Sequence, residues 1–573
     1  MDSRLDKRGS PLTARGGSAP RGALQGAFVP WALLALPLAF VLLFLAYPLE
    51  NILRESLFGE SASLRDLRPL WSESYYLQRL WFTTWQAAVS TAITLALAMP
   101  CAYVFAHYDF RGKTLVLAVV TIPFVLPTVV VAVAFSALLG PSGMANAALQ
   151  QLPGVHPAPI DLSNSIWLIL AAHVFYNVAL AARVIAAAWA IVDQRIGEAA
   201  PILGAGPLRR FVRITLPQLR PAILASGSLV FLFCFTSFGV VLILGGPRYS
   251  TIETEIYREL VFLFRPPLAA ALALIQLAVT FGFLAVYSRL SRATGGSSTA
   301  RRPRGGGSRR ERAAAATVIV LLLAVTAAPL LALAERSVHG SGGYTLEFYR
   351  ALGENSRKQA LFITPIRAIW NSLSFAAIAT VLALPLGILT AYGVQKLRAR
   401  LGSLVEALLL LPLGVSAVTL GLGFIITFDE APLNLRGTRW LLIVAHTLAA
   451  YPFVARAVGA QLRAIDPRLR EAARVLGEGA AGVFLRVDLP LIWRSLVIGS
   501  VFAFAASMGE FGATLLIARP EWPTLPLAVF RYLGQPGELN YGQALAMSTI
   551  LMAVTGSGFV IIDRLRVRQL GTF

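Results

Sequence analysis

The sequence predicts an all-α polytopic membrane protein made of two parallel six-helix repeats. Three observations carry this prediction. The composition is 56% hydrophobic and only 14% charged, which is too apolar for an ordinary soluble chain. About twelve apolar runs are long enough to cross a bilayer. A polar, glycine-containing motif in the first half also recurs 273 positions later in the second half.

The apolar runs divide into two groups of six. Each run is roughly 17 to 25 residues long, the length that a helix needs to span the hydrocarbon core. The first six lie near Phe28 to Tyr47, Trp81 to His107, Thr114 to Leu139, Ser165 to Ala190, Pro221 to Leu244 and Leu268 to Ser288. The second six lie near Ala315 to Leu333, Trp370 to Tyr392, Leu404 to Thr427, Trp440 to Gln461, Trp493 to Ile517 and Tyr541 to Ile562.

The two groups are copies of one unit. Trp81 recurs as Trp370 at an offset of 289, and beyond the loop from Gly140 to Ser163 the offset falls to 273, as in His173 and His446. An even number of spans in each copy makes the halves parallel in the membrane. The sequence thus predicts four segments: a basic cytoplasmic tail at 1–30, a first half with six spans at 31–290, a flexible basic cytoplasmic linker at 291–314, and a second half with six spans at 315–573.

Positive charge sets the expected orientation, because short loops rich in Lys and Arg stay on the cytoplasmic side. The stretch from Arg301 to Arg312 is strongly basic, whereas the loop from Gly140 to Ser163 contains no Lys or Arg. Both termini and both copies of the motif are then expected in the cytoplasm, in a multi-pass protein of the cell inner (plasma) membrane. We interpret the net charge of +21 as topology and attraction to anionic membrane lipid, with no nucleic acid as partner.

The repeated motif predicts a stiff elbow between two spans. Its copies share a glutamate, two alanines, two glycines and a proline at equal spacing, namely Glu198, Ala199, Ala200, Gly204, Gly206 and Pro217, and then Glu471, Ala472, Ala473, Gly477, Gly479 and Pro490. Asp193 and Asp466 are expected as helix N-caps, and Pro467 suits a first helical turn. The glycines permit a left-handed exit from the helix. A simple re-entry turn is the alternative, but it does not explain why both halves keep the same residues.

This pattern resembles the signature of the permease subunits of type I ABC importers, and the resemblance spans nearly the whole chain. In that family the elbow includes a coupling helix that docks on the ATP-hydrolysing subunit, so the twelve motif residues are the candidate ATPase-coupling set. Two copies of the motif imply two copies of the ABC ATPase subunit, together with an extracytoplasmic substrate-binding protein. Pro201 departs from the pattern in the first copy only and is expected to shorten its helix.

Fusion of two halves in one chain is similar to the thiamine and ferric-iron importer permeases. In the first half, Leu170 to Asn177, Leu244 to Pro247 and Thr251 to Glu253 look like the thiamine permease. In the second half, Ser507 to Gly512 is similar to both kinds. The resemblance favours thiamine as the solute, with ferric iron or another small solute as alternatives.

Polar side chains inside the apolar runs are candidates for a translocation path or gate, because burying them in hydrocarbon is costly. Glu510 follows Gly509 late in the eleventh run, Ser237 is its counterpart in the first half, and Asn177 is a third candidate. A carboxylate on a central path could hold a cationic solute or pair with an arginine. A structural hydrogen bond to neighbouring backbone opened by Gly509 and Gly512 is an alternative of at least equal weight.

No catalytic site is expected in this chain. Gly112-Lys113-Thr114 resembles the end of a phosphate-binding loop, but His107 occupies the position of the first glycine. We therefore expect ATP and Mg on the partner subunits and no cofactor here. The histidines lack metal-ligand spacing, and the repeated pair His173 and His446 predicts an interhelical contact. A secondary transporter with parallel repeats is less favoured, since it has no need of paired glycine elbows.

Overall fold

The computed structural model describes residues 21–58, 68–151, 160–191, 206–293, 308–354, 364–429 and 433–570. Most of this part of the chain is α-helical, as the sequence predicts. The strands it contains form one short antiparallel hairpin, β1 (His339–Gly340) and β2 (Gly343–Tyr344), which follows the first helix of the second half.

The helices of the first half run from α1 to α13 along the described chain. They are α1 (Arg21–Val41), α2 (Tyr47–Phe58), α3 (Pro69–Ser72), α4 (Ser74–His107), α5 (Lys113–Val125), α6 (Thr128–Leu139), α7 (Met144–Leu149), α8 (Ile166–Ile191), α9 (Pro207–Arg210), α10 (Leu216–Phe235), α11 (Gly239–Leu244), α12 (Ile252–Val261) and α13 (Pro266–Ala293). A π-helical segment, Leu42–Ala46, joins α1 to α2, so that the two form one long element.

The second half repeats this order from α14 to α25. Its helices are α14 (Arg309–Arg336), α15 (Glu347–Arg350), α16 (Pro365–Lys396), α17 (Ala399–Leu409), α18 (Ala417–Phe428), α19 (Arg439–Ala464), α20 (Pro467–Val475), α21 (Ala480–Val483), α22 (Leu489–Met508), α23 (Gly512–Ile517), α24 (Leu525–Leu533) and α25 (Glu538–Leu570). Two 3-10 turns, Ala351–Gly353 and Leu411–Leu413, complete the half.

Several helix boundaries repeat between the two halves residue for residue. Helices α8 and α19 begin and end 273 positions apart, as do α10 and α22, and α11 and α23. A π-helical turn precedes a Leu-Pro pair in each half, at Phe211–Thr215 and Phe484–Asp488. Helices α6 and α18 show the other offset, 289. The structure therefore confirms two parallel copies of one helical unit.

Ten helical stretches in the described chain are long and apolar enough to cross a membrane. All twelve apolar runs of the sequence fall on helices, but the expectation of continuous spans is wrong for four of them. The runs near 114–139, 221–244, 404–427 and 493–517 are each divided into two helices. The last run, near 541–562, lies within α25, which has 33 residues.

Proline and serine explain the division between α5 and α6 and that between α17 and α18. Leu126 has a ψ of 141°, the extended conformation imposed on a residue before proline, here Pro127. In the second half Pro412 lies in the 3-10 turn, and Ser416 then caps α18 by accepting a 3.2 Å hydrogen bond from the Thr419 N–H.

The divisions between α10 and α11 and between α22 and α23 place the predicted path residues at helix breaks. The first break covers Thr236 to Phe238 and contains Ser237, and the second covers Gly509 to Phe511 and contains Glu510. Non-helical backbone at membrane depth requires surrounding protein or a polar cavity. Discontinuous helices in matching positions of two repeats are typical of solute sites in transporters.

The first helix of each half packs against the other half. Leu34 of α1 belongs to a buried cluster with Phe424 and Tyr451 of the second half. It lies so close to Gly393 that a Cβ added there would come within 2.4 Å of its Cγ. In return, Leu322 of α14 is buried in a cluster of first-half side chains. The two halves thus exchange their first helices.

The halves meet in a buried core at the level of the breaks. Phe238 and Phe511 end the two breaks, and their rings stack with centroids 5.8 Å apart and an interplanar angle of 27°. Tyr257 of α12 lies 5.8 Å from Phe238, and Phe530 of α24 lies 5.5 Å from Phe511. We call these four rings the junction cluster, because they close the interface between the halves.

Candidate functional site

The second elbow begins with a capped helix, α20. Asp466 precedes the helix, and its Oδ1 accepts a 3.0 Å hydrogen bond from the backbone N–H of Arg468. Pro467 occupies the first helical position, where a missing N–H leaves no hydrogen bond unmade. The predicted N-cap and helix start are therefore confirmed for this copy of the motif.

Helix α20 ends in a Schellman motif at Gly477. The Glu478 N–H donates to the Ala473 carbonyl, and the Gly477 N–H donates to the Arg474 carbonyl, each at 3.0 Å. Gly477 has a φ of 90°, in the left-handed region that glycine adopts without steric cost. Gly479 has a φ of −75°, which suits any residue. The left-handed exit is confirmed, and of this pair only Gly477 is required by its own backbone.

The outer face of α20 combines a carboxylate with apolar side chains. Ala473 is buried against the rest of the chain, whereas Glu471 and Ala472 are exposed. Val475 and Leu476, at the end of the helix, are 87% and 85% exposed. Two adjacent apolar side chains that are this exposed suit a surface that another molecule covers. The second elbow therefore has the chemistry of a docking surface.

Ion pairs fix this elbow to the span that follows it. Arg470 Nε lies 2.7 Å from Oδ1 of Asp488, a carboxylate that is 3% exposed and immediately precedes α22. Arg486, in the same π-helical turn, pairs with Glu478 beyond the Schellman motif. Both ends of α20 are thus tied to the start of α22.

The structure describes only part of the first elbow. Outside the described residues lie Asp193, Glu198, Ala199, Ala200, Pro201 and Gly204. Gly206 immediately precedes α9, and Pro217 is the second residue of α10, as Pro490 is of α22. The described part of the first elbow has the same structure as the corresponding part of the second. The shorter helix expected from Pro201 in the first elbow stays a prediction.

Glu510 is buried at the second helix break and is bonded within its own half. Its Oε1 accepts a hydrogen bond from the Ala513 N–H at 2.8 Å, and its Oε2 accepts one from the Thr514 N–H at 3.0 Å. The Thr514 hydroxyl also donates to Oε2, which lies 3.7 Å from His446 Nε2. This arrangement is the structural hydrogen bond named above as the alternative. Glu510 also borders a cavity of about 60 Å³ beside Pro412, and its role on a path stays a prediction.

The other two path candidates have different surroundings. Ser237 is 8% exposed and occupies the first-half break at the position equivalent to Glu510. Asn177 lies in α8, where its Nδ2 donates to the His173 carbonyl at 2.8 Å and lies 3.7 Å from Cys234 Sγ. Ser237 and Glu510 therefore flank the junction as an unequal pair, whereas these contacts of Asn177 lie inside the first half.

Both repeated histidines are buried and bonded to serine hydroxyls on other helices. His173 Nδ1 lies 3.0 Å from Ser90 Oγ, and His446 Nδ1 lies 2.7 Å from Ser507 Oγ. The predicted interhelical contact is thus confirmed in both halves. Across the described ranges, no group of three or more His, Cys, Asp or Glu side chains could hold a metal ion.

A buried carboxylate, Glu253, was missed as a site residue by sequence reasoning. It lies on α12, between two spans, and is 1% exposed. Its Oε2 accepts a 2.8 Å hydrogen bond from Ser416 Oγ of the second half, and its Oε1 accepts one from Gln276. Burial raises the pKa of Glu253 to about 7. The capping box that opens α12 pairs Thr251 with Thr254 and so departs from the Ser/Thr-x-x-Glu/Gln pattern, and the sequence did not signal the burial of Glu253.

Known proteins resemble this chain over most of its length. The thiamine transport system permease protein ThiP of Escherichia coli (strain K12) is 27% identical over 512 residues, which cover 88% of this chain and 91% of that protein. ThiP of Brucella abortus (strain 2308) is 28% identical over 501 residues, covering 84% and 86%. A protein of Salmonella typhi provisionally named 2-aminoethylphosphonate transport system permease protein PhnU is 30% identical over 267 residues, covering 46% and 92%.

A family model described as "Binding-protein-dependent transport system inner membrane component" matches residues 95–296 and 383–568, once in each half. Membership implies a multi-pass protein of the inner membrane that works with an ATPase and a substrate-binding protein. The paired matches agree with the two helical copies and with the elbow between α19 and α22. The chain therefore belongs to the family of inner membrane components of binding-protein-dependent transport systems, as a fused permease of the ABC importer kind.

Proposed function

We propose that this chain forms the translocation path of an ABC importer for thiamine. The assignment of thiamine as the solute is supported by the likeness to two ThiP proteins, which covers 88% and 84% of the chain. The likeness to PhnU covers 46% of the chain and supports the family rather than a solute. Ferric iron or another small solute is the alternative that the experiment below must exclude.

Coupling to ATP hydrolysis is proposed to run through both elbows. Two copies of the ABC ATPase subunit bind them and hold ATP and Mg, while this chain binds no cofactor of its own. The proposal is supported by the exposed Val475 and Leu476 beside Glu471 and by the ion pair of Arg470 with Asp488. The proposed coupling residues are the twelve of the repeated motif, from Glu198 to Pro217 and from Glu471 to Pro490. Both elbows and both termini then face the cytoplasm.

Transport follows from moving the two halves against each other. When the ATPase subunits close, they draw the elbows together, and α10 and α22 move with them. The halves then separate on the outer side, and the binding protein delivers the solute between the broken helices. Ser237, Glu510 and Asn177 are the proposed path or gate residues, the first two because they lie at the breaks.

Uptake of labelled solutes tests the assignment. The chain is expressed with its ATPase and binding protein in cells that lack their own thiamine and ferric-iron importers. We expect energy-dependent accumulation of thiamine, with ferric iron at the level of cells without the transporter. Accumulation of iron instead of thiamine would reverse the assignment. If the tagged chain copurifies with no ATPase, the importer function itself is wrong.

The elbow is tested by Glu471→Gln against a matched control, Glu311→Gln. Glu311 is also exposed, and it lies in the first turn of α14, where glutamine can still make the capping bond with Ser308. We expect Glu471→Gln to insert normally but to lose the stimulation of ATP hydrolysis by loaded binding protein, with uptake reduced about tenfold. The control should match the wild type. Equal uptake by both variants would remove Glu471 from the coupling contact.

A further inference from the structure

Glu253 is a buried carboxylate without a positive partner. Among the residues that the structure describes, no Lys, Arg or His nitrogen lies within 4.0 Å of its oxygens. Its partners, Ser416 and Gln276, are neutral, and Oε1 of Gln276 is itself buried without a hydrogen bond. Neutral donors compensate a buried negative charge poorly, in agreement with the raised pKa of this carboxyl. The carboxylate of Glu253 and the unbonded Oε1 of Gln276 can therefore contact a cation.

The other two acidic side chains of α12 form their hydrogen bonds within the first half, although Oε2 of each is buried without a hydrogen bond. Glu255 Oε1 accepts a 2.8 Å hydrogen bond from the Tyr75 hydroxyl, and Glu259 Oε1 accepts a 2.7 Å hydrogen bond from the Tyr76 hydroxyl. Of the three carboxylates, Glu253 is the one whose hydrogen bond crosses to the other half. It is therefore the one whose surroundings change when the halves separate.

Glu253 shares helix α12 with Tyr257, one of the four rings of the junction cluster. Tyr257 is one helical turn further along α12 and so shares a face with Glu253. Its ring contacts Phe238, which stacks on Phe511 across the interface. Aromatic faces attract organic cations, and a carboxylate on the same side of a helix adds a negative charge to such a site. The equivalent position in the second half is Pro526, so only the first half has a carboxylate at this position.

We propose that Glu253 and the junction cluster form a binding site for an organic cation, which enters when the two halves separate. This inference rests on the proposed function, because the thiazolium ring of thiamine carries a permanent positive charge. In the closed junction the rings contact one another and Ser416 bonds the carboxylate. Separation removes Ser416 and uncovers the ring faces, and the cation takes the place of these contacts. The same residues thus close the path and hold the solute.

Direct binding tests the site in the purified complex of this chain with its ATPase. Thiamine and benzyltrimethylammonium are titrated calorimetrically into the wild type, Glu253→Gln and the matched control Glu259→Gln. We expect Glu253→Gln to weaken both affinities about tenfold, equivalent to about 1.4 kcal/mol, while the control stays at the wild-type value. Glu253→Asp, which keeps the charge, should recover part of the loss. Equal affinities in the wild type and Glu253→Gln, or no binding of benzyltrimethylammonium to the wild type, would overturn the proposal.

Uptake separates this inference from the solute assignment. If the wild type accumulates no thiamine but binds benzyltrimethylammonium through Glu253, the cation site stands and the thiamine assignment fails. If Glu253→Gln accumulates thiamine as fast as the wild type, the site is wrong while the thiamine function stands. The melting temperature of each complex is measured in parallel, and a purely structural role would lower it without changing the affinity of the folded fraction.

Discussion

Replacing Gly477 by alanine should weaken coupling at the second elbow through the backbone alone. Gly477 closes the Schellman motif with a φ of 90°, and a Cβ added there would meet no atom within 4 Å. No neighbouring atom has to move to accommodate the new methyl group. The free-energy cost is therefore that of placing an L residue in the left-handed region, about 1–2 kcal/mol. A difference of this size lowers the ratio of the docking conformation to its alternatives roughly 5- to 30-fold.

Two variants of the same elbow isolate this backbone effect. Gly479→Ala places a Cβ in equally open space, but at a φ of −75° that alanine adopts freely, so coupling should stay near the wild-type value. Gly477→Asn should lie between the two, because asparagine tolerates the left-handed region better than alanine. The measurement is the number of solute molecules taken up per ATP hydrolysed in proteoliposomes that contain the ATPase and loaded binding protein. We expect Gly477→Ala to lower this ratio about fivefold or more.

Two results would refute the reasoning. Equal losses in Gly477→Ala and Gly479→Ala would mean that the ATPase needs both glycines for close approach, and that the left-handed conformation is not the cause. A wild-type ratio in Gly477→Ala, at a normal level of membrane insertion, would mean that the elbow tolerates or abandons the Schellman exit when the ATPase binds.

Two further substitutions test how the elbow and the first helix are held. Arg470→Ala should lower the melting temperature of the detergent-solubilised complex more than Asp488→Asn does. The first variant leaves the carboxylate of Asp488, which is 3% exposed, without its cation, at a cost of about 1–3 kcal/mol. Equal shifts of the melting temperature in the two variants would contradict this. Gly393→Ala should reduce the yield of folded protein by overpacking against Leu34, a cost of about 1–3 kcal/mol. Leu34→Ala in the same chain should restore the yield, and no rescue would mean that α1 does not pack there.

Local chemistry made the elbow predictable from the sequence. A cap such as Asp466 acts on an N–H two residues away, and a glycine such as Gly477 acts on its own φ, so neither depends on distant parts of the fold. The repeat was predictable for a similar reason, because copies of one unit carry their prolines and glycines at the same spacing. These features needed no knowledge of which helix faces which.

Contacts between distant segments could not be predicted from the sequence. Runs that are apolar on every side have no polar face to show their orientation, so the breaks at Ser237 and Glu510 were hidden inside two expected spans. The hydrogen bond from Ser416 to Glu253 joins residues 163 positions apart and exists only because α12 is buried between the halves. For the same reason the helix α12 was not predicted between the apolar runs near 221–244 and 268–288.

The exchange of first helices imposes an order on biosynthesis. Helix α1 is translated before the second half, yet the side chains that cover Leu34 lie near Gly393 and Tyr451 and leave the ribosome much later. Because chains emerge from the N-terminus onward, α1 must wait in lipid until the second half has been inserted. Neither half is then a complete folding unit. Joining both in one polypeptide ensures that each waiting helix finds its partner in the same patch of membrane and in equal number.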